Sequence, residues 1–240
     1  FRAGQLPKLL PPGTYRFANA PHDARLGALA FALGSYSFSR YRKLEPVASF
    51  PGNTLAAQVG QMRCLKELGR MAEAATAAER VAANSNATAD LKADAGLTVA
   101  HGLLAKGDND AAYTKFKAVS TASTNHLGAE AKYHMAYVRH LQGQFRKAET
   151  EVFDLVKRYP SYDHWKARAF ILLGDVYLQL NDRFQAKATL QSVIDHVQEP
   201  ELVAQAQQRL DAINASEVQQ LAPPVQDELE LPLPANTDGQ

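Results

Sequence analysis

The sequence predicts an all-α chain built as a stack of helix–turn–helix hairpins. Three observations carry that prediction. A unit of thirty-odd residues is written four times, apolar residues inside it recur at three- and four-residue intervals, and no segment reads convincingly as a strand.

The unit shows itself through a Gly-type break, an Ala five residues later, and large apolar residues beyond. Gly69 leads to Ala74 and Val81, Gly107 to Ala112, Phe116 and Val119, and Gly143 to Ala148, Val152, Leu155 and Pro160. Asn181 takes the Gly place in the fourth copy and leads to Ala186, Leu190 and Val193. With these breaks set at position 15, the copies begin at Leu55, Ala93, Ala129 and Ala167, at spacings of 38, 36 and 38 residues. Each break suits the end of a first helix, where left-handed backbone relieves the last carbonyls. The small residue after it lets a second helix approach closely, and Ala136 and Gly174 serve the same contact from the first helices. Ala75→Leu, one residue past the corresponding alanine of copy one, is expected to matter less than Ala148→Leu or Gly174→Leu if the Ala75 side chain points outward.

Taken in chain order, residues 1–50 form a basic segment with one short amphipathic helix, about 23–37, packing Leu26, Leu29, Ala30 and Leu33 on the first repeat. Residues 51–219 hold the repeats at 55–92, 93–128, 129–166 and 167–199, then a closing helix at 200–219. Pro200 opens that helix and Leu202, Ala206, Leu210 and Ile213 form its apolar stripe. Asn53 and Thr54 after Pro51, and Asp163 after Pro160, are the expected N-caps. Residues 220–240 carry four prolines and no helical period, and read as a disordered acidic tail.

These residues resemble tetratricopeptide repeats over 55–200. The fourth copy has Leu173, Gly174, Tyr177, Ala186 and Leu190 at the family's leucine, glycine, tyrosine, alanine and bulky apolar places, and the third has Ala136, Ala148 and Pro160. Departures are Lys132 and Phe170 at the position often held by Trp, and Met62 and Ala100 at the glycine place. The period also exceeds the family's 34 residues. The resemblance implies a right-handed superhelix whose first helices line a concave groove.

Residues 11–43 resemble a stretch of the non-catalytic amino-terminal region of bacterial leucyl aminopeptidases, through Gly13, Tyr15, Phe17, Ala28, Leu33, Gly34, Tyr36, Phe38 and Tyr41. The metal centre of that family lies in a domain this sequence lacks, so the join between the two pieces is either natural or artificial.

Composition narrows the function classes. The 240 residues carry a net charge of +1, which disfavours an electrostatic nucleic-acid binder. The ends are opposed: residues 1–43 hold seven basic residues against Asp23, and the last 30 hold six acids and no base. No apolar run is long enough to span a bilayer. The start at Phe1 reads as a fragment or processed product. The cytoplasm is the favoured compartment, with the bacterial periplasm open if a signal peptide was removed.

The sequence predicts no enzyme, cofactor or metal. His134 and His140 lie six apart on different faces of a helix, and no H-E-x-x-H pattern occurs. Cys64 reads as a packed thiol, Asp163–His164 has no partner serine, and no phosphate-cradling glycine loop exists.

A protein or peptide partner remains, held in the groove by first-helix positions 2, 5, 9 and 12. Among these the partner-binding candidates are Arg63, Lys66, His101, Glu130, Tyr133, Tyr137, His140, Arg168 and Asp175. Tyr133, Tyr137, His140 and Arg168 form an aromatic-cationic set of the kind enriched in binding hot spots. The two-carboxylate clamp of chaperone-binding members is not reproduced, because Val59, Arg63, Thr98, Glu130 and His134 replace its asparagines and lysines. The acidic tail, "VQDELELPLP", has a composition suited to the same groove. Oligomeric state and partner identity are not legible.

Overall fold

The computed structural model describes residues 24–47 and 51–221. Among them there is no strand, and helix follows helix: α1 (Ala24–Leu44), α2 (Pro51–Glu67), α3 (Met71–Ala83), α4 (Ala89–Ala105), α5 (Asn109–Ala122), α6 (His126–Leu141), α7 (Phe145–Arg158), α8 (Asp163–Gln179), α9 (Arg183–His196) and α10 (Pro200–Leu221). The chain divides into two compact units, Phe1–Tyr162 and Asp163–Gln240.

Four turns carry the repeat. Gly69, Gly107, Gly143 and Asn181 have φ of 69°, 80°, 69° and 59°, the only positive values among the described residues. At the first, the Gly69 amide bonds the Lys66 carbonyl at 3.0 Å and the Arg70 amide bonds the Leu65 carbonyl at 2.9 Å. This paired closure satisfies carbonyls that the helix end would otherwise leave open. The same two bonds recur at Gly107 and Asp108, Gly143 and Gln144, and Asn181 and Asp182. Asn181 succeeds without glycine because its short polar side chain tolerates left-handed backbone. Five residues on, Ala74, Ala112, Ala148 and Ala186 are all 0% exposed. The turn and the close contact therefore sit where the sequence placed them in all four copies.

In the first unit, α2 to α7 pack as consecutive antiparallel neighbours, α3 against α4 and α5 against α6 joining one hairpin to the next. Met62, Leu65, Val81 and Val99 fill the space around α3, and Leu97, Phe116, Met135 and Val138 the space around α5. The α3–α4 joint is tight. A Cβ placed on Gly102 would stand 2.5 Å from Ala75 Cβ and 3.1 Å from the Met71 carbonyl oxygen. Ala75 is only 8% exposed, so the expected outward direction is wrong: α3 buries a broad face that includes both Ala74 and Ala75.

Helix α1 runs to Leu44, past the expected end at 37, and closes on Arg42 and Lys43, which suit the negative end of a helix. Tyr36, Phe38 and Tyr41 continue its helical spacing. The side chains of Leu26, Leu29, Ala30 and Leu33 lie outside the described residues, but the last turns dock on α2 in detail. A Cβ on Gly60 would fall 2.6 Å from the Tyr41 ring. Beyond α1, Glu45 accepts from Gln58 Nε2 at 3.0 Å, Gln61 Nε2 at 2.6 Å and Arg80 Nη1 at 2.6 Å.

In the second unit α8 and α9 form a hairpin and α10 lies against both. A Cβ on Gly174 would meet Leu190 at 2.9 Å, which explains the small residue there. Leu202, Ala206, Leu210 and Ile213 of α10 are buried, the stripe its spacing predicts.

Two of the expected caps differ. Helix α2 starts at Pro51, whose missing amide and preset φ suit a first turn, so Asn53 and Thr54 lie inside the helix. Asp163 is itself the first residue of α8, and its carboxylate faces Lys166 at 2.6 Å. Capping side chains instead come from Thr88, Asp108, Asn125 and Asp182, each accepting from an amide two or three residues on. The acidic tail beyond 221 lies outside the described residues.

Candidate functional site

The first helices of the first unit are α2, α4 and α6, and their groove positions meet each other. Arg63 and Lys66 of α2 both reach Asp94 of α4, at 3.8 and 3.0 Å. One repeat later His101 Nε2 of α4 lies 3.2 Å from Glu130 Oε1 of α6. Position 9 of one first helix thus faces position 2 of the next in both cases. Four of the residues selected as partner-binding candidates also tie neighbouring repeats together.

The aromatic candidates form a second group. Tyr133 and Tyr137 stack at 6.5 Å between ring centroids, 15° from parallel. Tyr133 is 9% exposed and packs edge-on to His134 at 4.9 Å, whereas Tyr137 is half-buried. His140, also half-buried, leans on Phe145 at 5.6 Å. Arg168 and Asp175 belong to the second unit. Arg168 lies over the Trp165 ring at 5.2 Å, and Asp175 accepts from Arg209 of α10 at 3.0 and 3.1 Å.

Three features went unread in the sequence. His134, set aside for its distance from His140, is four residues from Glu130 and so shares its face of α6. The ligating atoms of His101, Glu130 and His134 all lie within 4.8 Å of one another, and all three residues are half-buried. The Glu130/His134 spacing was a legible signal; the third member, from another repeat, was not.

Lys132, at the place often held by Trp, is 5% exposed and donates to Glu151 and, at 2.5 Å, to Asp154. Burial pulls its ammonium down, but the hydrogen bonds and charges of Asp154 and Glu151 outweigh this and hold its pKa above the ordinary lysine value. Glu151 also accepts from the Tyr113 hydroxyl at 2.7 Å, and Arg139 covers that ring at 3.8 Å.

Tyr159, just before Pro160, is fully buried. Its hydroxyl is shared between the Ser120 and Ser123 carbonyls, each 2.9 Å away, leaving it to accept from the Ser120 hydroxyl at 3.2 Å. Gly128 makes room: a Cβ there would stand 2.0 Å from the Ser123 carbonyl oxygen.

Cys64 has the environment of a packed thiol. Burial, then the charge of Glu67, pushes its pKa up and away from the thiolate that a nucleophile needs. No described helix is long and apolar enough to cross a membrane.

The geometry defines a helical-repeat class of protein, and comparison with known families finds counterparts for two stretches of the chain. Residues 168–197 match the tetratricopeptide repeat family. Residues 1–49 match the N-terminal domain of M17 aminopeptidases, the region where the aminopeptidase resemblance was read. Among solved structures, the chain is similar to BtubC (BKLC) from P. vanneervenii, with a TM-score of 0.61 and 16% identity over 80% of this chain and 84% of that one. At that identity the likeness concerns the fold. No curated protein sequence matches significantly.

Proposed function

We propose that the chain is a non-enzymatic scaffold that binds a protein or peptide segment along the first-helix face of its repeats. The observation that carries the reading is half-buried Tyr137 on α6, backed by the buried Tyr133 ring it stacks on, with half-buried His140 one turn beyond. Tyrosine offers broad contact area at small entropic cost, and such residues dominate binding surfaces. The polar pairs of the neighbouring repeats frame this area, since Arg63, Lys66 and His101 are already engaged by Asp94 and Glu130. A net charge of +1 supports a protein partner over a nucleic acid. The occupant the chemistry favours is a segment with apolar side chains and a few acids, placed against Tyr137 and His140.

Selection of binders from a displayed random-peptide library on the full chain tests this. Enriched sequences should share an apolar-acidic consensus and lose binding to Tyr137→Ala combined with His140→Ala. An absence of enrichment, or enrichment indifferent to the double substitution, contradicts the reading.

A second reading rests on the match at residues 1–49: the chain is a fragment or accessory part of a leucyl aminopeptidase. Because the metal centre of that family lies in a domain absent from this sequence, co-elution of the chain with a leucyl aminopeptidase catalytic domain on size exclusion separates the two. Stable co-elution would favour the aminopeptidase reading, and its absence would contradict it.

A further inference from the structure

We infer that His101, Glu130 and His134 form a binding site for one divalent transition-metal ion, Zn²⁺ being the natural occupant for two imidazoles and a carboxylate. The inference stands on its own geometry and does not depend on peptide binding. Glu130 and His134 are four residues apart on α6, so one helix face presents both, and α4 supplies His101 from across the joint.

The distances suit this donor set. Ligand atoms around a tetrahedral zinc stand about 3.4 Å apart, given bonds of roughly 2.0–2.2 Å. His101 Nε2 and Glu130 Oε1 are already 3.2 Å apart, and no pair of ligating atoms exceeds 4.8 Å. Modest side-chain rotations close the remainder without moving either helix. The imidazole rings themselves approach to 4.4 Å between centroids, so α4 and α6 bring both rings to one place.

The surroundings hold that arrangement. Phe116 stacks on His134 at 5.1 Å and 16°, and meets His101 edge-on at 5.2 Å. Tyr133 closes on His134 from its own helix. This aromatic wall restricts the rings and lowers the local dielectric, which strengthens binding of a cation to Glu130. Hard cations such as Mg²⁺ and Ca²⁺ prefer all-oxygen sets and are poorly served, whereas Zn²⁺ and Co²⁺ accept mixed nitrogen and oxygen. Three protein ligands leave one tetrahedral position for water or an incoming donor.

The test uses the full chain, free of affinity tags and stripped of metal, titrated with Zn²⁺ by calorimetry. One saturable equivalent is expected, weakened at least tenfold by each of His101→Ala, Glu130→Gln and His134→Ala. His164→Ala, in the exposed His164–Glu199 pair, should leave it unchanged. Titration of unsubstituted protein with paramagnetic Co²⁺ gives a readout independent of variant folding: amide resonances at 101, 130 and 134 should broaden first. No saturable binding, binding indifferent to the three substitutions, or broadening centred elsewhere would each overturn the site and leave the cluster as aromatic packing with one polar pair.

Discussion

His101 Nε2 and Glu130 Oε1 stand 3.2 Å apart, joining position 9 of one repeat to position 2 of the next. The pair has a counterpart one repeat earlier, where Arg63 faces Asp94 at 3.8 Å with Lys66 beside it at 3.0 Å. The first-helix face is thus a polar seam as well as a candidate binding surface. Arg63 and Lys66 remain substantially exposed, so the seam aligns neighbouring helices more than it stabilises them. Asp94→Asn should cost under about 1 kcal/mol, and the loss should shrink further in high salt. Urea unfolding at two ionic strengths checks this.

The α3–α4 joint predicts a result contrary to the outward direction that sequence position assigned to Ala75. Ala75→Leu should destabilise by roughly 1–3 kcal/mol, comparable with Ala148→Leu and Gly174→Leu, because each adds volume where backbones approach closely. Ala75 is buried against Gly102, where even a Cβ would fall 2.5 Å from the Ala75 Cβ. Chemical denaturation of the three variants gives the comparison, and a neutral Ala75→Leu would refute the packing of this joint.

Tyr159 locks α7 to the end of α5 through a single buried hydroxyl. Tyr159→Phe removes a donor from the Ser120 and Ser123 carbonyls, Ser120 keeping Arg158 Nη2 at 3.2 Å, and should cost about 1–3 kcal/mol. Gly128→Ala should cost at least as much, since its Cβ collides with the Ser123 carbonyl and backbone must move. Both are read from unfolding midpoints at constant denaturant slope.

Lys132 separates the loss of a charge from the loss of a pair. Lys132→Ala strands Glu151 beside Asp154 and should destabilise by roughly 3 kcal/mol, near the low end for a broken buried pair because Asp154 is partly solvated. Replacing Glu151 by Gln and Asp154 by Asn in the Lys132→Met background should recover a large part of that loss. Thermal melts of the two variants decide it.

Glu45 gives the first unit an acid-sensitive lock. Burial pushes its carboxyl up, but hydrogen bonds from Gln61 and Gln58 and the Arg80 guanidinium outweigh burial and hold it below the usual carboxylate range. A lowered folded pKa means its stabilisation is complete above the unfolded glutamate value of about 4.3 and vanishes as pH falls through the folded value. Glu45→Gln should therefore melt lower than wild type at neutral pH and lose less on acidification. Equal pH slopes for the two proteins would contradict the lock.

What the sequence made legible was whatever recurs. A glycine or asparagine followed five residues later by alanine marks a left-handed turn and a close contact, and one copy is evidence for the next. Features that occur once were hidden for physical reasons. Lys132 looked like a departure from a Trp position because its partners, Glu151 and Asp154, sit on another helix. Tyr159 gains meaning only when α7 brings it under Ser120 and Gly128. Ala75 depends on which helix covers it, a tertiary fact. Helix α1 outran its expected end because aromatic residues at 36, 38 and 41 obscured the amphipathic stripe. Glu130 and His134 were readable as a helical pair, yet their significance came only with His101 from the preceding repeat.

The binding face proposed for this chain runs along the first helices rather than the second. Backbone amide shift mapping of the full chain with a selected apolar-acidic peptide tests it most directly. The largest perturbations are expected along α4 and α6, at His101, Tyr137 and His140, with α5 and α7 nearly silent. Perturbations concentrated on α5 and α7, around exposed Phe153, would contradict it.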